Sequence, residues 1–540
     1  MQKIKLFSGI SLLLFCFASL QAQERRAKVF DQDGDRVFEN LQERMKHVSG
    51  DESLNVLVVY RDRISFRKAQ ANGFNGIPSV RIRRAFRIHP AVAARLTPLQ
   101  IRQLLKDPTI KQIELDSKVK ASMYTARRSF GVEAAQLQFG FTGNADGIKG
   151  NYSVNDIVVA VIDTGVDTEH PDLQRKVKFF KDYLAQRTSP YDDNGHGTHV
   201  AGVIAGSGKL NPKYAGVAPE AALVVFKVLD SAGSGFVSDV IAATEEIIDR
   251  KAEFHIRILN LSLEVPEGSS AGDDSFSIAC NNAVANGIVV VIAAGNSGPD
   301  RRTIGEGAAA ARAITVGAGA DTGENGFYLW PLSSRGPTAD GRIKPDLFAP
   351  GVDIRSVKRT TGYSGISGTS FAAPFVAGVA ALMFEANPAL TTGNIRNILI
   401  GNSRKWGPGK KNNEAGGGRL QAYQAISRAA AITEDLVTPV VPRLKFFSAS
   451  LAQGARQTYT VEVASKRFPL AITAIADAYP DARLELKLIS PTGLVRTSSN
   501  FGRQVQIVFD PSEIGVYQLQ VKAFQGATSY LLDISADLSS

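Results

Sequence analysis

Cysteine is nearly absent from the 540-residue chain, which has only two, Cys16 and Cys280. Cys16 lies in an apolar stretch, Leu6 to Leu20, preceded by Lys3 and Lys5 and closed by Leu20-Gln21-Ala22. That order of charge, apolar run and small residue reads as an export signal over residues 1–22. Phe15 before Cys16, and apolar residues after it, exclude a lipid-anchored cysteine. Removal of the signal leaves Cys280 alone, so no intrachain disulfide can form. Phe276, Ala279, Cys280, Ala283 and Val284 share one helical face, which assigns the thiol to core packing. An exported chain without disulfides must be held together by burial, or by bound ions.

Long apolar runs are equally scarce. Past Leu20 no stretch is long enough to span a membrane. Signatures of nucleic-acid binding are missing as well. The net charge is +10, but arginines crowd one early segment: Arg61, Arg63, Arg67, Arg81, Arg83, Arg84, Arg87, Arg95 and Arg102. No helix-turn-helix, zinc-ligand spacing or interleaved aromatics accompany them. The charge is read as a property of a precursor segment, and no nucleic-acid partner is expected. A hydrophobic content of 44% with 21% charged residues suits a soluble protein, and the length suits two or three domains.

What is present begins with a small α+β module. Residues 54–60 read as a strand, with another around Val80 to Ile88. Thr97-Pro98 caps a helix striped by Ile101, Leu104 and Leu105, and Ile110 to Leu115 forms a further strand. From Asp156 the texture changes to continuous apolar runs separated by helices: 157–162, 223–228, 256–261, 287–293 and 313–316. Such runs imply a parallel sheet covered on both faces, with chemistry beyond the carboxyl ends of the strands. After Pro439 and Pro442 the period becomes two, as in Tyr459-Thr460-Val461-Glu462-Val463 and Leu484-Glu485-Leu486-Lys487-Leu488. That pattern implies an antiparallel β-sandwich.

The organising stretch is Gly368-Thr369-Ser370-Phe371-Ala372-Ala373-Pro374. Its serine opens a helix too apolar for a surface, with its hydroxyl at the positive end of the helix dipole. Alanine at 372 replaces the second glycine of a Gly-x-Ser-x-Gly elbow, which excludes an α/β-hydrolase nucleophile. Three further segments precede it. They are Val161-Ile162-Asp163-Thr164-Gly165, Asp193-Asn194-Gly195-His196-Gly197-Thr198-His199, and Ala293-Ala294-Gly295-Asn296-Ser297-Gly298. In the order Asp, His, Asn, Ser, these four resemble the subtilisin-like serine proteases over roughly residues 130–432. Ser333-Ser334-Arg335-Gly336-Pro337, Lys344-Pro345-Asp346 and Ala349-Pro350-Gly351 agree.

The resemblance implies an α/β fold: a three-layer, parallel-sheet catalytic domain, preceded by a small α+β propeptide and followed by an antiparallel β-sandwich. The expected boundaries are signal 1–22, inhibitor-like propeptide 23–127, catalytic domain 128–432, linker 433–442 and sandwich 443–540, with maturation between Lys118 and Arg128. It implies a secreted serine endopeptidase, extracellular or at the cell surface or periplasm, with Asp163, His196 and Ser370 as triad and Asn296 as oxyanion donor. Expected substrate-binding positions are Gly233, Ser234, Gly235, Ser262, Leu263 and Glu264. Glu264 replaces the family's usual glycine and either rims the first specificity pocket or faces solvent. Protein or peptide substrates and the chain's own propeptide, as inhibitor, are the expected partners of a monomer.

The family resemblance assigns His199 to packing. Asp167 reads as a turn carboxylate. Asp172 matches a family calcium ligand, but the companion loop Ser207-Gly208-Lys209-Leu210-Asn211-Pro212 departs from the calcium pattern and carries a lysine. No cofactor is expected for the chemistry, and no metal site is assigned. The rival class is a catalytically silent copy of the fold serving as a binding or adhesion protein.

Overall fold

The computed structural model describes residues 52–71, 81–85, 91–115, 123–265, 269–321, 327–406, 411–432 and most of 443–538, with a few positions between 36 and 48. The expected signal segment and linker lie outside the described residues. The chain divides into two compact units, Met1–Val119 and Lys120–Ser540. The first unit ends ahead of the boundary expected at residues 127/128.

The first unit contains β1 (Leu54–Tyr60), α1 (Arg63–Ala71), β2 (Arg81–Ala85), β3 (Ala91–Leu96), α2 (Pro98–Leu104) and β4 (Ile110–Leu115). Its four strands form one sheet in the order β2-β3-β1-β4. Val56, Val58, Val92, Ala94, Ile101 and Ile113 make its core. Thr97 caps α2 as anticipated, and Gln100 closes the capping box by reaching back to the Thr97 N–H at 2.9 Å.

The second unit opens with α3 (Met123–Ser129) and α4 (Val132–Phe139), then β5 (Val158–Asp163), β6 (Val177–Asp182), α5 (His196–Ala205), β7 (Ala222–Lys227), α6 (Val237–Asp249), β8 (Ile256–Leu261), α7 (Ser275–Ala285), β9 (Val289–Ala293) and β10 (Ile314–Gly319). There follow β11 (Leu347–Pro350), β12 (Ile354–Val357), β13 (Tyr363–Ile366), α8 (Thr369–Ala386), α9 (Thr392–Gly401) and α10 (Ala422–Ala429). Seven strands form a parallel sheet in the order β11-β10-β9-β8-β5-β7-β6.

Alternation along β5 explains the three layers. Val159 and Val161 face one core, shared with α5 and α8, while Val158, Ala160 and Ile162 face another, shared with α6 and α7. Burial on both faces demands the unbroken apolar run seen in the sequence. Cys280 sits fully buried in the second core, where burial pushes its thiol pKa up. The helix α8 is long and apolar enough to cross a membrane, but it threads the first core instead. Gly378 permits its close approach, since a Cβ there would come within 2.5 Å of Val217.

The remaining strands are β14 (Arg443–Leu451), β15 (Arg456–Val463), β16 (Leu470–Ala476), β17 (Arg483–Ile489), β18 (Val495–Ser499), β19 (Gln504–Phe509), β20 (Gly515–Gln525) and β21 (Thr528–Ala536). They form two antiparallel sheets, β14-β21-β16-β19 and β15-β20-β17-β18, over a shared core. This is the expected sandwich, and it belongs to the same unit as the parallel sheet. Thr473 Oγ1 donates to the Phe327 carbonyl at 2.9 Å, and Asp533 pairs with Arg419 at 2.9 Å.

Candidate active site

Three strands of the parallel sheet deliver the site. Asp163 is the last residue of β5, and it is fully buried. His196 is the first residue of α5, and its Nδ1 lies 2.7 Å from Asp163 Oδ1. Asp163 Oδ1 also accepts the Thr164 N–H at 2.7 Å. The imidazole is 26% exposed. Burial alone would lower its pKa, but the charge and hydrogen bond of Asp163, with the charge of Asp192, outweigh it. The net shift is upward.

Sequence reasoning missed the groups that hold this pair in place. Asp192 accepts N–H bonds from Asn194, Gly195 and Thr198 at 2.8–3.0 Å, and hydroxyl bonds from Thr164 and Thr198. One carboxylate thereby shapes the turn that enters α5 and faces the β5 loop. Despite burial, those bonds keep its pKa below the ordinary value. Buried Lys227, at the end of β7, donates to the Thr164 and Leu229 carbonyls and to Asp193. A lysine closing an apolar strand was the available signal. Gly165 is required where it stands, at φ +113°, because a Cβ would lie 2.1 Å from the Tyr191 carbonyl oxygen.

Ser370 is the second residue of α8 and is half-buried. Phe371, next to it, packs its ring against both His196 and His199, at centroid distances of 5.3 and 4.6 Å. Ser262 Oγ donates to the Ser370 carbonyl at 2.7 Å, tying the end of β8 to the mouth of α8. Asn296, three residues past β9, is clamped by Thr369. Its Oδ1 accepts the Thr369 N–H at 2.9 Å and hydroxyl at 3.0 Å. The amide oxygen is thus committed to α8, and the NH2 end is left as the outward donor. The clamp by Thr369 was not read from the sequence.

His199 is packed, as the resemblance implies. Its Nε2 lies 3.1 Å from the Ser364 carbonyl, and burial lowers its pKa to about 4. An unfolded histidine titrates near 6.5, so between those values the unfolded chain takes up a proton that the folded one refuses. Stability should therefore fall as pH drops from about 6.5 to about 4. Denaturation midpoints at pH 7 and pH 5 should show the loss, and His199→Gln should remove much of the pH dependence. Equal midpoints in the unsubstituted protein would contradict it.

The segments expected to bind substrate flank this centre. Gly233, at φ +75°, turns Ser231 to Gly235 around Asp230, whose carboxylate accepts the Ala232 and Ser234 N–H groups. Asn194 Nδ2 holds the same turn through the Ser231 carbonyl at 3.0 Å. On the other side Ser262, Leu263 and Glu264 continue from β8. Glu264 is exposed, and its carboxylate reaches the loop that follows β9. It accepts the Asn296 backbone N–H. Ala294, Gly295, Gly305, Glu306 and Ala308 lie around it with no room for a water molecule between them.

The calcium question has a local answer. Asp172 is fully buried, its Oδ1 accepts the Leu210 N–H at 3.0 Å, and its Oδ2 accepts the Tyr363 hydroxyl at 2.8 Å. Protein donors already engage both oxygens, and the companion loop carries Lys209, so these residues do not fit calcium. Asp167 is a turn carboxylate, accepting the Glu169 and Thr360 N–H groups. Among the described residues no group of three or more His, Cys, Asp or Glu could hold a metal.

Comparison with known proteins identifies the family. Residues 154–418 match the subtilase family. Serine protease AprX of Bacillus subtilis (strain 168) is 37% identical over 339 residues, covering 58% of this chain and 74% of that protein. Subtilisin E of the same strain is 34% identical over 348 residues, 62% of this chain and 82% of that one. Among solved structures, Sphericase aligns with 56% of this chain and 99% of its own at 33% identity, with a TM-score of 0.45.

Proposed function

The chain belongs to the subtilase family of serine peptidases, and from that premise we propose that it is a secreted endopeptidase, matured by removal of its N-terminal module, with Asp163, His196 and Ser370 as triad. The observation that carries this reading is the 2.7 Å contact of buried Asp163 with His196 Nδ1. It fixes the tautomer that leaves Nε2 as a base.

In this mechanism Ser370 Oγ attacks the scissile carbonyl carbon while its proton passes to His196 Nε2. Asp163 stabilises the imidazolium. The oxyanion is held by the Asn296 amide, oriented by Thr369, and by the Ser370 N–H at the positive end of α8. His196 then protonates the departing amine, leaving an acyl ester on Ser370. Water, deprotonated by His196, hydrolyses that ester and restores the serine. An extended peptide would pair with Gly233 to Gly235 on one side and Ser262 to Glu264 on the other. Because His196 must be neutral to act, and its pKa is raised, the acid limb of kcat/KM should lie above the ordinary histidine value of about 6.5. A limb below that value would count against the pairing with Asp163.

Asn296→Ala should reduce kcat by about 10²–10³, the magnitude known for the equivalent donor in subtilisin, with KM little changed. The function itself is tested by a fluorophosphonate probe followed by peptide mapping. Label on Ser370, lost on heat denaturation, supports the reading. An unlabelled protein that hydrolyses no peptide would favour the silent binding protein.

A further inference from the structure

We propose that a basic pocket between the end of α9 and the 411–417 stretch binds a phosphate or sulfate ester of about the size of one sugar, at the far end of β11 from Ser370. The inference goes beyond the peptidase reading above and does not depend on it.

Charge is the first observation. The pocket encloses about 330 Å³, and among the described residues that line it Arg396, Lys405 and Lys411 are cations and none is an acid. Lys405 and Lys411 are exposed, and neither forms an ion pair among the described residues. Arg396 is paired, but its counterion is shared. One terminal nitrogen lies 2.5 Å from Asp346 Oδ1, while Asp346 Oδ2 takes Lys344 Nζ at 2.6 Å and the Thr315 N–H at 3.0 Å. One carboxylate thus serves two cations, and positive charge is left over at the pocket. The negative end of α9 does not offset it, because the helix caps itself. The Ile398 carbonyl accepts the Asn402 N–H at 3.0 Å and Nδ2 at 2.8 Å, and the Leu399 carbonyl accepts the Ser403 hydroxyl at 2.8 Å. An arginine fork and two mobile ammonium groups are the donors that suit a tetrahedral oxyanion.

Shape narrows the class. Ile400, Gly401 and Gly417 make a floor that is apolar and lacks bulk. Gly417 keeps it low, since a Cβ there would lie 3.0 Å from Ile400 Cγ2. A bare oxyanion would leave most of this volume unfilled, whereas small-molecule sites begin at about 300 Å³. An ester places its anionic end among the cations and its carbon skeleton on the floor.

Position separates the pocket from the chemistry. Asp346, which fixes Arg396 and accepts the Gly417 N–H at 2.8 Å, immediately precedes β11. At the other end of that strand the Gly351 carbonyl accepts the Gly368 N–H at 2.8 Å, beside Ser370. The ester is therefore held away from the scissile bond, as an anchor and not as the substrate.

Isothermal titration of the Ser370→Ala protein, which cannot digest itself, tests the site at constant ionic strength. The probes are glucose 6-phosphate, inorganic phosphate, glucose and dextran sulfate. Glucose 6-phosphate should bind more tightly than inorganic phosphate, and glucose should not bind. Lys405→Ala with Lys411→Ala should weaken that binding by about tenfold or more, the effect of losing close charge pairs. Each single variant should lose part of it, and melting temperatures in sodium chloride should match the parent. Dextran sulfate that binds through the same lysines where glucose 6-phosphate does not would assign the ester to a polymer. The reverse would assign it to a free small molecule. Binding of neither ester, or unchanged affinity in the lysine variants, overturns the proposal. Equal affinity for inorganic phosphate and glucose 6-phosphate overturns the sugar-sized occupant.

Discussion

Asp533→Ala is expected to destabilise the Lys120–Ser540 unit by about 3–5 kcal/mol, the usual cost of stranding one member of a buried ion pair. Arg419 lies in the Gly416–Leu420 stretch before α10, and no part of it reaches solvent. Its guanidinium stacks 3.5 Å over Phe327, and Asp533, on strand β21 of the sandwich, lies 2.9 Å away. Burial dominates both partners, lowering the pKa of Arg419 and raising that of Asp533 in spite of their mutual attraction. The pair is therefore costly to bury, and costlier to break. Two consequences separate this account from mere contact. The double variant Asp533→Leu with Arg419→Met should recover much of the lost stability, because an apolar pair needs no counterion. A chain ending at residue 432 should fail to give soluble, active protein. Urea denaturation in a Ser370→Ala background, which prevents autolysis, measures the first, and peptide hydrolysis by the truncated chain with Ser370 intact measures the second. A chain truncated at 432 with full activity would show that the sandwich is dispensable.

Ser370→Ala should lower kcat by about 10⁶, the magnitude known for loss of the nucleophile in subtilisin, and leave the fold intact. If the N-terminal module is removed by the enzyme itself, the variant should be secreted with that module attached. Wild type should begin between Lys118 and Arg128. Intact mass and N-terminal sequencing of the two secreted proteins decide it. Identical processing in both would assign the cut to another protease. A mature chain beginning upstream of Lys118 would contradict the expected boundary. The candidate junctions Met123, Tyr124 and Arg127-Arg128 all lie within α3, which belongs to the second unit and is fastened to it by the Thr125 hydroxyl on Asp321 at 3.0 Å. Cleavage within α3 therefore requires that helix to open.

Much of this was legible in the chain because the signals are local. Doubly buried parallel strands must be apolar at every position, so β5, β7, β8 and β9 announce themselves within two residues of their true limits, while β10 runs three residues past the end read for it. The sandwich strands alternate because one face is wet, and the change of period marks the change of domain. Asp163, His196, Asn296 and Ser370 stand out because small residues and glycines crowd around them, where backbones approach closely.

What stayed hidden depends on partners far apart in the chain. Asp192 and Asp193 are adjacent acids in the sequence, and only folding makes one the organiser of the α5 turn and the other a partner of Lys227. Arg419 reads as one more surface arginine until strand β21 brings Asp533 against it. Asp172 keeps the residue type of a calcium ligand, while the donors that take its place are Leu210 and Tyr363. Glu264 is the sharpest case. As a sequence feature it was an exception, and the approach of β8 to the loop after β9 is what brings its carboxylate to the Asn296 N–H. The sequence by itself determined the layers, the order of the motifs and the chemistry their residue types permit, since burial pattern and side-chain identity are properties of single positions. Only the tertiary structure decided which carboxylates are paired and which donors are taken, because those are properties of pairs that the chain separates by tens to hundreds of residues.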